Sequence, residues 1–122
     1  SEMCIRDRMW LDKGICGDRR YLSRATCELF TTLKSRDSRR GLGFDKPDAE
    51  HTDNSPCSPE APASVFGHTG FTGTCVWIDP DNELIFVFLS KLTYPSVYEP
   101  NNLVRYNIRT RMQQVMYQSI LH

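Results

Sequence analysis

The stretch Phe66-Gly67-His68-Thr69-Gly70-Phe71-Thr72-Gly73 carries residue types from which an active site can be built. A histidine and a hydroxyl stand between glycines. Glycine lets a ligand approach the backbone closely, so strand N–H groups can face a developing oxyanion. The same spacing also fits a glycine-bent edge strand with an ordinary surface histidine. Two other groupings are weaker. His51, Cys57, His68 and Cys75 have irregular separations, and His51 and Cys57 fall in a proline-rich loop, so they do not form a zinc pattern. Cys75 and His68 lie seven residues apart across a bend, with no third group to orient them. Cys75 therefore reads as a core thiol rather than a nucleophile.

The elements that must position these residues are bounded by composition. A chain of 122 residues is one small domain's worth of polypeptide. Its 15 Lys+Arg balance 15 Asp+Glu, which disfavours a nucleic-acid binder. The basic excess is local, with ten bases against six acids in residues 1–44, and reads as a solvated face. No apolar run approaches the ~18 residues of a membrane span, and the first residues lack the apolar core of a signal peptide. Five cysteines, at positions 4, 16, 27, 57 and 75, contain no Cys-x-x-Cys and read as free thiols.

Periodicity and turn chemistry then place the elements. Met9-Trp10-Leu11 before Gly14 reads as the last turn of a helix and its stop. Ser23 is a good N-cap for a helix over 23–35, with Leu22, Ala25, Leu29, Phe30 and Leu33 as its apolar stripe. The spacing predicts a short strand over 39–44, a loop over 45–64 and strands over 65–71 and 74–78. Asp79-Pro80-Asp81-Asn82 is a turn, and 84–89 is a strand apolar on both faces. Both faces of that strand need cover. A connection over 91–106 leads to a C-terminal helix capped by Asn107, with Ile108, Met112, Val115, Met116 and Ile120 on one face. The expected fold class is α+β, an antiparallel sheet covered by helices on both faces.

In this setting His68-Thr69-Gly70 resembles the third motif, Lys-Thr-Gly or His-Thr-Gly, of the serine β-lactamase and penicillin-binding-protein superfamily. Trp77-Ile78-Asp79-Pro80, the strand from Leu84 to Ser90, the helix with Ile108-Arg109-Thr110-Arg111 and Tyr117, and the upstream Tyr21-Leu22-Ser23 and Gly41-Leu42-Gly43-Phe44 agree with it. The resemblance covers about residues 9–122 and is closest to the class C-like serine hydrolases and esterases. It implies a partial β-lactamase-like three-layer sandwich and acyl transfer through a serine acyl-enzyme. The substrate would be a β-lactam, a D-alanyl peptide or a small ester, and no cofactor is implied. By resemblance, His68 would polarise or hydrogen-bond the substrate, Thr69 would bind its acid group, and the N–H of Phe71 would be the second oxyanion donor.

The family's Ser-x-x-Lys nucleophile motif and its Tyr-x-Asn or Ser-x-Asn second base do not occur in these residues. Thr31-Thr32-Leu33-Lys34 matches the spacing but begins with threonine on an amphipathic helix, and Tyr106-Asn107 and Tyr98 with Asn101 are wrongly spaced. The expectation is therefore the C-terminal part of a serine β-lactamase-like domain over 9–122, inactive alone. Its partners would be the N-terminal part of that domain and a small-molecule or peptidoglycan-like substrate, in the periplasm or cell envelope of a bacterium. Residues 1–8, with Met3-Cys4-Ile5-Arg6-Asp7-Arg8, resemble translated sequencing-adapter read-through and are expected to be a non-native leader. A non-catalytic module that keeps the sheet for binding is the alternative.

Overall fold

A computed structural model describes residues 5–32, 35–51, 53, 55–97 and 101–120. Leu33, Lys34, Tyr98 and residues 1–4, named above, lie outside the described residues. Helix α1 (Ile5–Leu11) ends where expected. Gly14 takes φ +96° and donates its N–H to the Met9 carbonyl at 2.8 Å. A side chain there would run into the Leu22 carbonyl, so the stop must be glycine. A small hairpin follows, β1 (Ile15–Cys16) against β2 (Arg19–Arg20), with Gly17 at positive φ in its turn.

Helix α2 (Arg24–Thr32) starts on Ser23, whose Oγ accepts the Thr26 N–H at 3.0 Å. Its buried face is not the expected apolar stripe. Cys27 and Thr31 point inward, while Leu29 and Phe30 are exposed. The inward face packs under the Gly14 stop, where only small side chains fit, and Phe30 turns toward the Trp10 ring at 6.3 Å.

The expected strand over 39–44 does not form. Gly43 takes φ +82°, and the Gly41 N–H bonds to the Phe44 carbonyl at 2.9 Å, so the segment closes on itself. The residue that reaches the sheet is Asp45, which bridges Gly67.

The main sheet is antiparallel in the order β3 (Phe66–Thr69), β4 (Cys75–Asp79), β5 (Leu84–Phe88). Its register sets His68 opposite Val76 and Trp77 opposite Phe86. Cys75 and Trp77 share one face with Phe86 and Phe88 and pack against Cys57, Ala61 and Val65 of the loop. The other face carries Phe66, whose ring meets Phe44 at 5.0 Å, and Phe44 meets Trp10 of α1 at 4.9 Å. The sheet therefore lies between helices, as expected for the α+β class. Cover over β5 is thinner than the apolar pattern demands, since Val87 is exposed.

After a short helix α3 (Asn102–Arg105), helix α4 (Ile108–Ile120) returns across the Trp77 face. Here again the buried face differs from expectation. Met112, Val115 and Ile120 are exposed, and the buried residues are Gln113 and Tyr117. Those two have polar partners within the core. Gln113 Oε1 accepts the Ser58 N–H at 2.8 Å, and the Tyr117 hydroxyl donates to Asp79 Oδ2 at 2.6 Å. Asp79 Oδ1 accepts the N–H groups of Asp81 and Asn82 at 3.0 and 3.1 Å, which makes the β4–β5 turn. A buried carboxylate with this many donors is stable only while they all stay. Tyr117→Phe is expected to cost about 2 kcal/mol, read as a lower urea midpoint at unchanged slope. No described helix is long and apolar enough to cross a membrane.

Candidate functional site

Strand β3 is an edge strand, and its outer edge is paired at a single residue. Gly67 exchanges two bonds with Asp45, donating at 3.1 Å and accepting at 2.7 Å. Asp45 is itself buried and is held by Arg39, Nε to Oδ1 at 2.8 Å. Backbone groups alternate along a strand, so Thr69 turns its N–H and C=O to the same outer side as Gly67. Phe71 lies beyond the strand, in the turn that follows it. Beyond Gly67 no described strand or bridge covers this edge.

The side chains divide between the faces. His68 leaves the sheet on the Val76 face and is exposed, and Thr69 leaves on the Cys75 face and is half-buried. His68 Nδ1 lies 2.6 Å from the Thr69 carbonyl. A carbonyl oxygen only accepts, so this contact is a hydrogen bond in the tautomer that carries its proton on Nδ1. His68 lines an open cavity of about 290 Å³ together with Arg6, Asp7, Val76, Val87 and Leu89. A larger cavity, about 640 Å³, lies among α1, α2 and the β4–β5 turn and does not include the motif.

The turn after the motif is locked. Gly70 donates to the Thr74 carbonyl at 2.7 Å and Gly73, at φ +92°, to the Gly70 carbonyl at 3.0 Å. The Leu92 N–H reaches the Thr72 carbonyl at 2.7 Å, and Asn101 Nδ2 holds the Leu92 carbonyl at 2.9 Å. Periodicity gave no sign of Asp45, Leu92 or Asn101, because Asp45 and Leu92 act through long-range backbone bonds and Asn101 through its side-chain amide.

The other groupings are not assembled. His51 is exposed and lies 3.6 Å from Asp48, away from His68. Among the described residues no three His, Cys, Asp or Glu side chains could together hold a metal ion. Burial pushes the Cys75 thiol up, so it is not poised as a thiolate. Burial, helped by the Asp45 charge, raises Cys57 far above its ordinary 9.0. Burial, then the bond to Asp79, does the same to Tyr117 from 10.0.

These groups bind protons more tightly folded than unfolded. Their contribution to stability is complete below the unfolded thiol value near 9.0 and is lost as pH rises past it. The urea midpoint is therefore expected to fall steadily between about pH 8.5 and 10.5. Over the same range Cys57 and Cys75 should resist a thiol reagent until the chain unfolds. Rapid labelling of either in the folded protein would contradict their burial.

Comparison with known proteins completes this geometry. A family model described as beta-lactamase matches residues 17–108, which contain α2, the whole sheet and His68-Thr69-Gly70. The chain belongs to the beta-lactamase family, a family of serine hydrolases. A putative D-alanyl-D-alanine carboxypeptidase of Escherichia coli O157:H7 is 34% identical over 100 residues, and that of Escherichia coli K12 is 33% identical over 100 residues. An N-acetylmuramyl-L-alanine amidase of Bacillus subtilis strain 168 is 28% identical over 100 residues. The match covers 82% of this chain in each case, but 23%, 23% and 22% of the respective relatives. The chain thus spans about a quarter of the length of these curated relatives. The sheet edge described above, with His68-Thr69-Gly70, lies within the residues matched by the beta-lactamase family model.

Proposed function

We propose that this chain supplies the third-motif strand of a serine hydrolase that acts through an acyl-enzyme on D-alanyl peptides of the bacterial cell envelope. The observation that carries the reading is the open outer edge of β3. Past the single bridge at Gly67 the edge continues at Thr69, beside an exposed His68, and the chain then enters the turn that holds Phe71. The two Escherichia coli relatives, named as putative D-alanyl-D-alanine carboxypeptidases, support the substrate class.

In this reading a serine in Ser-x-x-Lys, from sequence outside these 122 residues, attacks the carbonyl between the two D-alanines. The Phe71 N–H donates to the oxyanion that forms. Thr69 hydrogen-bonds the terminal carboxylate of the leaving D-alanine, and His68 supports the charge and the proton network beside it. Collapse of the tetrahedral intermediate expels D-alanine, and water then frees the acyl group from the serine. A β-lactam would acylate the same serine, and a small ester would follow the same path.

The test compares two proteins. The 122-residue chain is expected to hydrolyse neither a chromogenic cephalosporin nor a p-nitrophenyl ester above a denatured control, and to take no penicillin label. The longer gene product, with its Ser-x-x-Lys, is expected to release D-alanine from an acyl-D-alanyl-D-alanine and to be acylated on that serine. A gene without that motif, or a longer protein that has it and releases no D-alanine, overturns the proposal. So does stoichiometric label on Cys75 or Thr31 of the 122-residue chain.

A further inference from the structure

Two charged residues that the proposed mechanism does not use are buried side by side against the motif strand. Asp45 is 0% exposed and Lys46 is 6% exposed. A charge taken out of water must be met by partners, and both are. Arg39 meets the carboxylate, with Nε 2.8 Å from Oδ1 and Nη2 donating to Oδ2 at 3.2 Å. The Lys46 N–H donates to Oδ1 at 3.0 Å. Lys46 Nζ donates to the Thr31 carbonyl at 2.7 Å, at the end of α2 where helix carbonyls lack intrahelical partners. It also lies 3.5 Å from the Ser64 carbonyl, two residues before β3. All of these groups belong to the 122 residues, so no further chain is needed to bury them.

The backbone of Asp45 makes the bridge to Gly67, the residue before His68. Its N–H and C=O could form those two bonds with any side chain at position 45. A buried ion pair rarely adds net stability over apolar residues of the same size, so stability alone does not account for a carboxylate here. What the charges add is a fixed position. The planar guanidinium of Arg39 faces both carboxylate oxygens, which admits one placement of the carboxylate, and Lys46 fastens the next residue to α2. Asp45 hands that placement to Gly67 through the bridge. We infer that Arg39 and Asp45 are a positioning pair that fixes the outer edge of β3, and so sets where His68 and Thr69 stand relative to the reacting acyl group, without touching substrate. The inference rests on the proposed function.

The experiment uses the longer protein with its Ser-x-x-Lys, and acetyl-D-alanyl-D-alanine as substrate. The Arg39 side chain is 33% exposed, so Arg39→Gln removes the charge partner without emptying the core. Per folded molecule, counted by circular dichroism, this variant is expected to lose about tenfold in kcat with KM within about twofold, because a displaced strand weakens contacts made in the transition state. Amide exchange over residues 66–69 should become about tenfold faster, while exchange over 84–88 keeps its wild-type rate. Arg39→Lys keeps the charge without the planar fork and should recover part of both losses. If Arg39→Gln lowers only the folded fraction, and each folded molecule keeps its kcat, the pair is merely structural and the inference is overturned. A fall in kcat without faster exchange at 66–69, or faster exchange without a fall in kcat, overturns it too. Each of these results leaves the proposed function standing. A wild type that releases no D-alanine overturns the proposed function and the positioning role with it, while exchange over 66–69 still reports whether the pair holds the edge.

Discussion

Gly67→Ala is expected to abolish the fold. A methyl group on Gly67 would be driven into the Val76 carbonyl oxygen and within 2.8 Å of Trp77 Cε3. Neither side can yield. Val76 lies in the central strand, paired to both β3 and β5, and Gly67 is fastened from its other side by Asp45 at 2.7 and 3.1 Å. Trp77 is the largest fully buried side chain in the core. Overpacking against rigid backbone costs about 4 kcal/mol or more here, against a total of about 5–15 kcal/mol for an ordinary domain. Circular dichroism should show the loss of the cooperative melt. Gly43→Ala is the matching control. A Cβ there meets nothing within 4 Å, and the cost is only that of holding alanine at φ +82°, about 1 kcal/mol. If Gly67→Ala melts like the wild type, the register of β3 on β4 is not the one described.

That glycine also shows how much of the architecture could be read from residue types. The β4–β5 hairpin was legible because Asp79-Pro80-Asp81-Asn82 separates two β-branched and aromatic runs, and the structure forms it with Asp79 as the turn's acceptor. The α2 cap was legible for the same local reason, a serine oxygen three residues before a free N–H. What failed was the choice of buried face. In α4 the apolar count favoured Met112, Val115 and Ile120, but the polar Gln113 and Tyr117 went inward to satisfy Ser58 and Asp79. Periodicity counts hydrophobicity and cannot weigh a specific buried hydrogen bond against it. The strand over 39–44 failed because a positive φ at Gly43 turned the chain back before it reached the sheet.

The motif itself was visible, but its geometry was not. Residue types placed His68, Thr69, Gly70 and Phe71 in one stretch, whereas the exposure of the edge depends on where the Asp45 bridge stops. That single bridge is a long-range pairing, and nothing within five residues of Asp45 announces it. The same holds for the clamp on the turn. Leu92 and Asn101 act through one N–H and one side-chain amide, from a segment that reads only as a proline-containing connection.

In the longer protein, His68→Ala is expected to lower kcat/KM about a hundredfold, while the melting temperature hardly moves. The stability half of this expectation follows from the placement of the side chain. His68 is exposed, and its ring nitrogen Nδ1 meets the carbonyl of its own neighbour Thr69 at 2.6 Å, so its removal uncovers no core group. The activity half follows from the proposed function. A donor or charge partner that meets the growing negative charge of a tetrahedral intermediate contributes about 3 kcal/mol of transition-state stabilisation, which corresponds to roughly a hundredfold in rate. His68→Lys restores the commoner form of the motif and should keep measurable activity, because an ammonium on the same strand position can meet the same charge. His68→Gln keeps a polar side chain that can donate a hydrogen bond and should fall between the two. Rates at saturating and limiting substrate separate the causes, since a role confined to the transition state lowers kcat and kcat/KM together. If His68→Ala instead unfolds the protein and leaves the activity of the folded fraction intact, the histidine is structural and the edge of β3 is not the catalytic one.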